Sequence, residues 1–313
     1  MTARALTEKR GGEVAPALTA LFVGDATYDL TMSLSHVPQP DEKVHSEWTV
    51  EVAGGVILNS AIACGLAGGR ARLLFRTGPD LPGDAILADL KARGVALSHR
   101  REPGSTCRVV VLLEPHGEKR LILQPGVSLY PSIDHILSEP LEGVGWVHTA
   151  VYNFAAGDAL AARCRERGVP WSLDIEPATF DHDIGQLARS LDGAAVVFCN
   201  ARAAARLGAD PQRTLFELGV QSVVMTLGAR GVALCAGGEV LAIPAPMEQP
   251  IVDTTGAGDC LAGWFIAERL AGLDSAAALR RAVVAATLSC GARGAQQSYP
   301  TRAAVERLLE RAP

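Results

Sequence analysis

The chain has 313 residues, of which 48% are hydrophobic and 20% charged, and its formal net charge is −5 at pH 7. This apolar fraction excludes a protein that is disordered throughout. The mildly acidic balance argues against a nucleic-acid partner, because binding a phosphate backbone requires clustered positive charge.

Residues 1–17 contain charges and glycines but no continuous apolar run, which predicts a flexible tail and not a signal peptide. The sequence has no apolar run of about 18 residues, so a membrane span is not expected. The seven cysteines are scattered without a CxxC pair, and neither a disulfide framework nor a zinc site is indicated. We therefore expect a cytoplasmic protein in which residues 18–313 form a single domain.

The chain alternates predicted helices and strands. Helices at Asp84–Arg93, Asp158–Arg167 and Thr214–Leu218 each end at a Gly-Val pair, and short strand-forming runs follow the last two directly. Further buried strands are predicted at Ala20–Val23, Ala71–Phe75, Gly145–Thr149 and Ala194–Cys199. This order of elements predicts an α/β fold with a mostly parallel central sheet and helices on both faces.

Two regions, at about residues 31–52 and 105–124, break this alternation. Polar and apolar residues alternate within Thr31–Val52 as in a strand with one buried face, and Cys107–Leu113 with Lys119–Leu123 is typical of a β-hairpin. These segments are expected to form a small antiparallel sheet beside the main one. The pattern fits a lid over the open end of the main sheet and an extension of its edge equally well.

The segment Asp253–Asp259, with the sequence DTTGAGD, is the most informative for chemistry. It precedes apolar positions with helical spacing, so Gly256, Ala257 and Gly258 are predicted to open a helix whose N–H groups favour an anion. Asp259 follows directly. A carboxylate beside an anion site suits phosphoryl transfer to a hydroxyl, because a base takes the hydroxyl proton while N–H donors stabilise the phosphoryl charge. The alternative is that Asp259 only caps the helix.

This string closely resembles the C-terminal signature of the ribokinase-like (PfkB) carbohydrate kinases. Gly54-Gly55, Asn59 and the turn Gly78–Gly83 resemble the N-terminal signature of that family, and the resemblance extends over nearly the whole chain. It implies a three-layer ribokinase-like fold with a small β lid. It also implies an ATP- and Mg²⁺-dependent kinase that transfers the γ-phosphoryl group to a hydroxyl of a sugar or sugar derivative, with Asp259 as the base.

The resemblance assigns sugar binding to Asp29, Gly54, Gly55 and Asn59. Asp29 matches the family aspartate that holds substrate hydroxyls, and we expect it at the carboxyl end of the first strand, facing the crevice. Asn59 matches a second sugar ligand. The alternatives are a turn-stabilising role for Asp29 and a plain helix cap at Asn59.

On the nucleotide side, Thr226, Gly228 and Gly231 match the family's TxGxxG loop, whose glycines allow backbone contact with phosphates and ribose, and Gly258 joins them at the phosphates. Asn200 matches the first residue of the family's NxxE motif. Ala203 stands where that motif has Glu. This departure puts the usual contacts to magnesium and phosphate in question.

The resemblance to ribokinase-type members also implies a site for a monovalent cation such as K⁺. Such a site combines backbone carbonyls with one carboxylate, which suit a hard, weakly hydrated ion. Its residues would be Asp253, Thr255, Ser289, Ala292, Gly294 and Ser298.

The substrate is less clearly indicated than the reaction. Val56 follows the glycine pair, where ribokinases have Lys and ketohexokinases have Asn, so one polar contact to the sugar is absent. The hairpin and Trp146–Thr149 are more similar to ketohexokinases than to ribokinases. Arg108 and Arg120 could meet an anionic group on the substrate, although hairpin arginines are more often solvated.

Two other functions remain open from the sequence. A nucleoside kinase of this fold would need aromatic side chains in the lid, and Trp48 and Tyr28 are the candidates. A catalytically silent ligand-binding protein would be expected to lack Asp259. The exposed edge of the lid predicts a homodimer joined through the lids, and neither nucleic acid nor a membrane is expected as a partner.

Overall fold

The computed structural model describes residues 18–115, 118–180, 183–246 and 250–310. The predicted tail at residues 1–17 and the last three residues of the predicted domain lie outside these ranges. The strands are β1 (Thr19–Val23), β2 (Thr27–Ser33), β3 (Trp48–Gly54), β4 (Arg70–Thr77), β5 (Ala96–Arg101), β6 (Arg108–Leu113), β7 (Lys119–Gln124), β8 (Val144–Thr149), β9 (Trp171–Ile175), β10 (Val196–Cys199), β11 (Ser222–Thr226), β12 (Val232–Ala236) and β13 (Glu239–Ile243).

The helices pack mainly beside the sheet, and five of the described ones begin after a residue whose side chain caps the first turn. They are α1 (Val56–Leu66), α2 (Leu81–Ala92), α3 (Ile133–Ser138), α4 (Phe154–Arg167), α5 (Pro177–Phe180), α6 (Ala188–Leu191), α7 (Ala201–Leu207), α8 (Pro211–Glu217), α9 (Ala257–Leu270), α10 (Ser275–Ser289) and α11 (Arg302–Leu309). Side chains of Asp80, Asn153, Asn200, Asp210 and Asp274 each accept the N–H three residues further on, which satisfies a donor that the first helical turn leaves free.

The main sheet has the strand order β13-β12-β11-β10-β9-β8-β1-β4-β5. The strands from β11 to β5 run parallel, whereas β12 and β13 add an antiparallel hairpin at one edge. Parallel strands end at the same edge of a sheet, so the loops that follow β1, β9, β10 and β11 come together there.

Two apolar cores lie on opposite faces of this sheet. Ala20 and Phe22 of β1 belong to one core, and Leu21 and Val23 belong to the other, as the alternation of side chains along a strand requires. Helices α1, α2, α9, α10 and α11 cover the first core, and α3 to α8 cover the second. The three-layer α/β fold is therefore confirmed.

Close contact between α1 and α9 positions the segments that carry the site. A Cβ on Gly263 of α9 would overlap the carbonyl oxygen of Ser60 in α1, so the two backbones touch where that glycine lies. Asn59 is adjacent to Ser60 and Asp259 lies about one turn before Gly263, so the two side chains are held near one another.

The smaller sheet, which we call the lid, has the order β3-β2-β6-β7. The β2–β3 and β6–β7 pairs are antiparallel and β2–β6 is parallel. The predicted hairpin is confirmed to within a residue at each strand. The alternating segment Thr31–Val52 is instead two strands, because residues 34–47 leave the sheet and return where the Glu47 N–H bonds to the Ser33 carbonyl.

Within the described ranges, no helix is both long and apolar enough to cross a membrane. The seven cysteines are all buried free thiols, as expected for small apolar side chains in a core.

Candidate active site

Helix α9 opens at Gly256, whose φ of 72° lies in the left-handed region. A Cβ there would lie 2.5 Å from both Ala295 Cβ and the Tyr299 hydroxyl oxygen, and that hydroxyl donates to the Gly256 carbonyl at 2.9 Å. Only glycine suits both the conformation and the space. A Cβ on Gly258 would meet no atom within 4 Å, so the first turn of the helix is accessible. The structure thus places Asp259 beside an open helix N-terminus.

Hydrogen bonds connect Asp259 to two distant segments. Asn59 Nδ2 donates to Asp259 Oδ2 at 2.8 Å, and Asn59 Oδ1 accepts from Gln296 Nε2 at 2.8 Å. Gln296 also donates to the carbonyl of Ala53 at 2.7 Å. Because Gln296 occupies the amide oxygen, the NH₂ group of Asn59 faces Asp259. Asn59 lies inside α1 and is not its cap, and the positioning role of Gln296 was not predicted.

Asp259 belongs to a group of neighbouring carboxylates. Burial raises the pKa of Asp259 well above its usual value, and the charges of Asp174, Asp25 and Glu176 raise it further, against the hydrogen bond from Asn59. Burial, followed by the charges of Glu176 and Asp25, raises the pKa of Asp174 to about 8. Asp174, Glu176 and Asp259 each keep some accessible surface, so the group faces an opening. A cation at this opening would favour the ionised forms of these carboxyls and offset their mutual repulsion.

Asp25 is the carboxylate that lies just beyond β1, and its role was not predicted from the sequence. Its oxygens accept the N–H groups of Val56 at 2.9 Å and Ile57 at 3.0 Å, so Asp25 caps α1 from a distant segment. Gly55 precedes the helix with a φ of 114° and lies against the Asp25 backbone. Burial raises the pKa of Asp25 to about 6, although these N–H bonds lower it. The signal in the sequence was the lack of a capping side chain before Val56.

Asp29 lies within β2 of the lid, so its predicted position at the carboxyl end of the first strand is wrong. The main-sheet strand β1 ends at Val23, and the chain enters the lid at Thr27. Thr27 Oγ1 donates to Asp29 Oδ1 at 2.6 Å, and a Cβ on Gly54 would overlap Asp29 Oδ2. Burial raises the pKa of Asp29 to about 6, against the bond from Thr27. The absence of a side chain at Gly54 thus allows Asp29 to approach the backbone, as Gly55 does for Asp25.

The ends of β9, β10 and β11 form a row at the carboxyl edge of the sheet. Their last paired residues are in register, so Glu176, Asn200 and Thr226 follow side by side. Asn200 Oδ1 accepts the Ala203 N–H at 2.9 Å and caps α7, while Ala203 is fully buried. Position 203 thus offers no polar group, and Glu176, whose Oε1 accepts from the Tyr152 hydroxyl at 2.6 Å, is the carboxylate of this row.

The two glycines of the predicted nucleotide loop differ in their surroundings. Gly231, with a φ of 89°, is packed so closely that a Cβ would overlap the carbonyl oxygen of Ile243. Gly228, with a φ of 60°, would meet no atom within 4 Å. Gly231 is therefore required by the packing of the β12–β13 hairpin, and Gly228 presents accessible backbone to the edge of the cleft.

Four residues of the predicted cation site come together around Asp253. Its Oδ1 accepts from Thr255 N at 3.0 Å and Thr255 Oγ1 at 2.6 Å, and its Oδ2 accepts from Gly294 N at 3.0 Å. Ser298 Oγ donates to the carbonyl oxygen of Gly294 at 2.8 Å. Lys119 Nζ of the lid lies 2.7 Å from Asp253 Oδ1. Hydrogen-bond donors thus occupy the carboxylate, and these residues do not fit a bound K⁺.

The side chains of the other two predicted cation residues do not bond to Asp253, although the neighbouring carbonyl of Cys290 accepts the Asp253 N–H at 3.2 Å. Ser289 is buried at the end of α10 and donates to the carbonyl oxygen of Ala286 at 2.8 Å. Ala292 is exposed in the following loop. Arg120 pairs with Glu114 and Glu118 within the hairpin and is about half exposed, which supports its interpretation as a solvated surface arginine and not as a substrate contact.

Comparisons with known proteins agree with this geometry. Residues 18–302 match the family described as pfkB family carbohydrate kinase. Bacillus subtilis ribokinase is 30% identical over 302 residues, which cover 92% of this chain and 98% of the relative. Thermoproteus tenax 2-dehydro-3-deoxygluconokinase is 31% identical over 275 residues, or 80% of this chain and 83% of the relative. The structure of Arabidopsis thaliana ribokinase with ribose and ATP has a TM-score of 0.81 and 26% identity, and covers 95% of this chain and 99% of that one.

Proposed function

We propose a catalytic role for Asp259 in this chain, which belongs to the pfkB family of carbohydrate kinases and is an ATP-dependent sugar kinase. The observation that carries the proposal is the position of Asp259: it lies in the first, accessible turn of α9 and is hydrogen-bonded to Asn59. In the proposed reaction the substrate hydroxyl gives its proton to Asp259 while its oxygen bonds to the γ-phosphorus and the bond to ADP breaks.

The raised pKa of Asp259 suits this role. A carboxylate with an ordinary pKa is a weak base, and raising its pKa increases its affinity for the hydroxyl proton. A backbone N–H group in the first turn of α9 is proposed to stabilise the charge on the transferring phosphoryl group, as helix N-termini do for anions. Gly258 is the candidate, because the N–H of Ala257, which was also predicted, already donates to the carbonyl oxygen of Thr254 at 3.3 Å. Gly256 contributes the left-handed entry to this turn.

Asp29 and Asn59 are proposed to hold the hydroxyls of the sugar. Asp29 is largely buried in the lid beside Gly54. A carboxylate there is poorly solvated, so hydrogen bonds from sugar hydroxyls would stabilise it. Asn59 has a second amide hydrogen besides the one directed at Asp259. Val56 packs against the main core and adds no polar contact.

Mg²⁺ is proposed to bind ATP phosphates on the side of the cleft where Asp174 and Glu176 lie. The ion keeps several waters and needs only one or two protein carboxylates when it is bound through phosphates. It would supply positive charge that offsets the repulsion within this acidic group and neutralises the phosphates. Glu176 stands next to Asn200 in the row, so it is proposed to replace the carboxylate that Ala203 lacks.

Gly228 and the strand end at Thr226 are proposed to contact the nucleotide, with Gly231 shaping the loop. A nucleoside as the acceptor is less well supported, because neither aromatic candidate is available for stacking beside Asp29. Tyr28 lies on the opposite face of β2 from Asp29, as adjacent strand residues must, and the Trp48 ring lies under the Arg293 guanidinium at 5.7 Å.

A homodimer through the lids is proposed from the exposure of apolar side chains on both lid faces. Paired residues share a face, and one row contains Val50 and Leu121 while the next, on the other face, contains Ile122. These three side chains are between 46% and 65% exposed. A second copy of the chain would cover them, and sedimentation should give the mass of two chains. The buried free thiols also support a reducing, cytoplasmic location.

A coupled assay of ATP consumption over aldoses, ketoses, sugar acids and nucleosides tests the function. We expect turnover with at least one sugar, little with nucleosides, and loss of turnover in Asp259→Asn. The ranking of ketoses against aldoses tests the predicted similarity to ketohexokinases. No turnover with any sugar would favour a ligand-binding protein, and rapid turnover with a nucleoside would refute the choice of acceptor.

A further inference from the structure

Lys119, at the start of β7, joins the lid to the loop that precedes α9. Its Nζ donates to Asp253 Oδ1 at 2.7 Å and also forms a hydrogen bond with Thr255 Oγ1. The side chains of Lys119 and Asp253 are 28% and 17% exposed, so this ion pair is better shielded from water than an ordinary surface pair. Thr255 directly precedes Gly256, and the contact therefore acts on the residues that open α9.

The charge balance around Asp253 is complete without an added ion. Burial acts to raise the pKa of Asp253, but the hydrogen bonds from Lys119, Thr255 and Gly294 lower it well below its usual range. An ammonium group already lies against Oδ1. A monovalent cation at the same oxygen would lie within a few ångströms of that ammonium and would be repelled by it.

The pairing of the lid strands explains why Lys119 reaches this loop. One row across the lid consists of Trp48, Ser33, Leu113 and Lys119, which are paired in register. The two ends of this row contact the C-terminal loops: Lys119 contacts Asp253, and Trp48 contacts Arg293. Those loops are joined by the bond from Gly294 N to Asp253 Oδ2. The lid thus holds both loops from the two ends of one row.

We propose that Lys119 is a built-in cation that orders the loop before α9, so that this enzyme needs no monovalent cation and acquires the charge only when its lid is in place. The proposal rests on the proposed function of the α9 turn as the anion site. Lys119 is a positioning residue: it acts through Asp253 and Thr255 on the backbone N–H groups of the first turn. The positive charge is part of the lid, which couples lid position to the order of the phosphate site.

The test compares activity in tetramethylammonium chloride and in KCl at equal ionic strength. Wild type should have the same kcat/KM for ATP in both salts, within about twofold. Lys119→Ala should lose about tenfold or more in tetramethylammonium, as expected when a charge-assisted contact is removed, and should recover most of the loss in KCl, because the ion can enter the vacated space. Arg120→Ala, which removes the neighbouring lid cation from pairs with Glu114 and Glu118, is the matched control and should behave as wild type.

A second measurement does not depend on turnover. Melting temperature should rise specifically with KCl for Lys119→Ala, because binding to the folded state stabilises it, and should not differ between the salts for wild type. Activation of wild type by K⁺ of about tenfold, or full activity of Lys119→Ala without K⁺, would overturn the proposal. Absence of turnover in every protein and salt would contradict the proposed function instead, and the melting data would still decide the role of Lys119.

Discussion

Replacement of Asp259 by Asn separates the chemical role of this residue from its structural one. The substitution keeps the shape and leaves an amide oxygen that can accept the bond from Asn59, but it removes the proposed base. Loss of a general base costs about 10²–10⁴ in rate, or about 3–5 kcal/mol of barrier. We therefore expect kcat to fall by that factor while ATP binding is retained, because one negative charge near the phosphates disappears.

The same change should stabilise the protein without ligands. Burial and the neighbouring carboxylates raise the pKa of Asp259 in the folded state, so the folded protein binds more protons than the unfolded chain between the two pKa values. Its contribution to stability is thus lost as pH rises through this interval. The Asn variant lacks this loss. We therefore expect its free energy of unfolding at pH 8 to be about 0.5–2 kcal/mol higher than that of wild type, with a Tm increase of roughly 2 °C per kcal/mol.

The assay measures kcat, ATP affinity by calorimetry, and Tm at several pH values on one preparation. The difference in Tm between the two proteins should shrink towards zero below about pH 4, where the carboxyl is neutral in both states. Asp210→Asn is the control, because it makes the same carboxylate-to-amide change at the N-terminus of the surface helix α8, outside the site. A variant that retains more than about a tenth of kcat, with chemistry shown to be rate-limiting, would refute the role of base.

Two further predictions follow from the lid and from the contact between helices. Asp29→Asn should raise the sugar KM about tenfold with little change in the KM for ATP, because a sugar hydroxyl loses a charged acceptor. The wild-type sugar KM should itself rise as pH falls through about 6, where Asp29 becomes protonated. An unchanged sugar KM in the variant would show that Asp29 is a structural residue. Gly263→Ala should force α1 and α9 apart, lower stability by about 1–3 kcal/mol and reduce kcat by disturbing the bond between Asn59 and Asp259. Gly65→Ala, at a helical position where a Cβ meets no atom within 4 Å, should be neutral or stabilising, and equal melting temperatures for the two alanine variants would contradict the proposed close packing.

The alternating helices and strands of the main sheet were predictable, because the glycines that end helices and the apolar runs of buried strands indicate the same element boundaries. Gly168 closes α4 in the left-handed conformation, as its position after the helical spacing predicts. The hairpin of β12 and β13 and the long helix α10 were not identified. In β12 the apolar residues are buried on both faces, which gives no alternation, and α10 is so rich in alanine that its apolar face is hard to distinguish.

The parts of the site that the sequence did not indicate depend on contacts between distant segments. Asp25 caps a helix that begins 31 positions later, and Gln296 orients an amide 237 positions earlier. A local pattern can show that a helix lacks its own cap, as before Val56, but it does not identify the distant partner. Lys119 is a similar case: it looks like an ordinary hairpin charge, and only the register of the lid strands brings it to Asp253.

The distance along the chain between Gln296 and Asn59 has a consequence for synthesis of the protein. The amide of Asn59 acquires its orientation only after 237 further residues have been made. At about 5–20 residues per second, translation of that stretch takes roughly 10–50 s. When translation reaches residue 295 every described strand has been made, but the amide of Asn59 still lacks the partner that directs it at Asp259. If Asp259 acts as proposed, a partly made polypeptide should therefore not consume ATP on the ribosome.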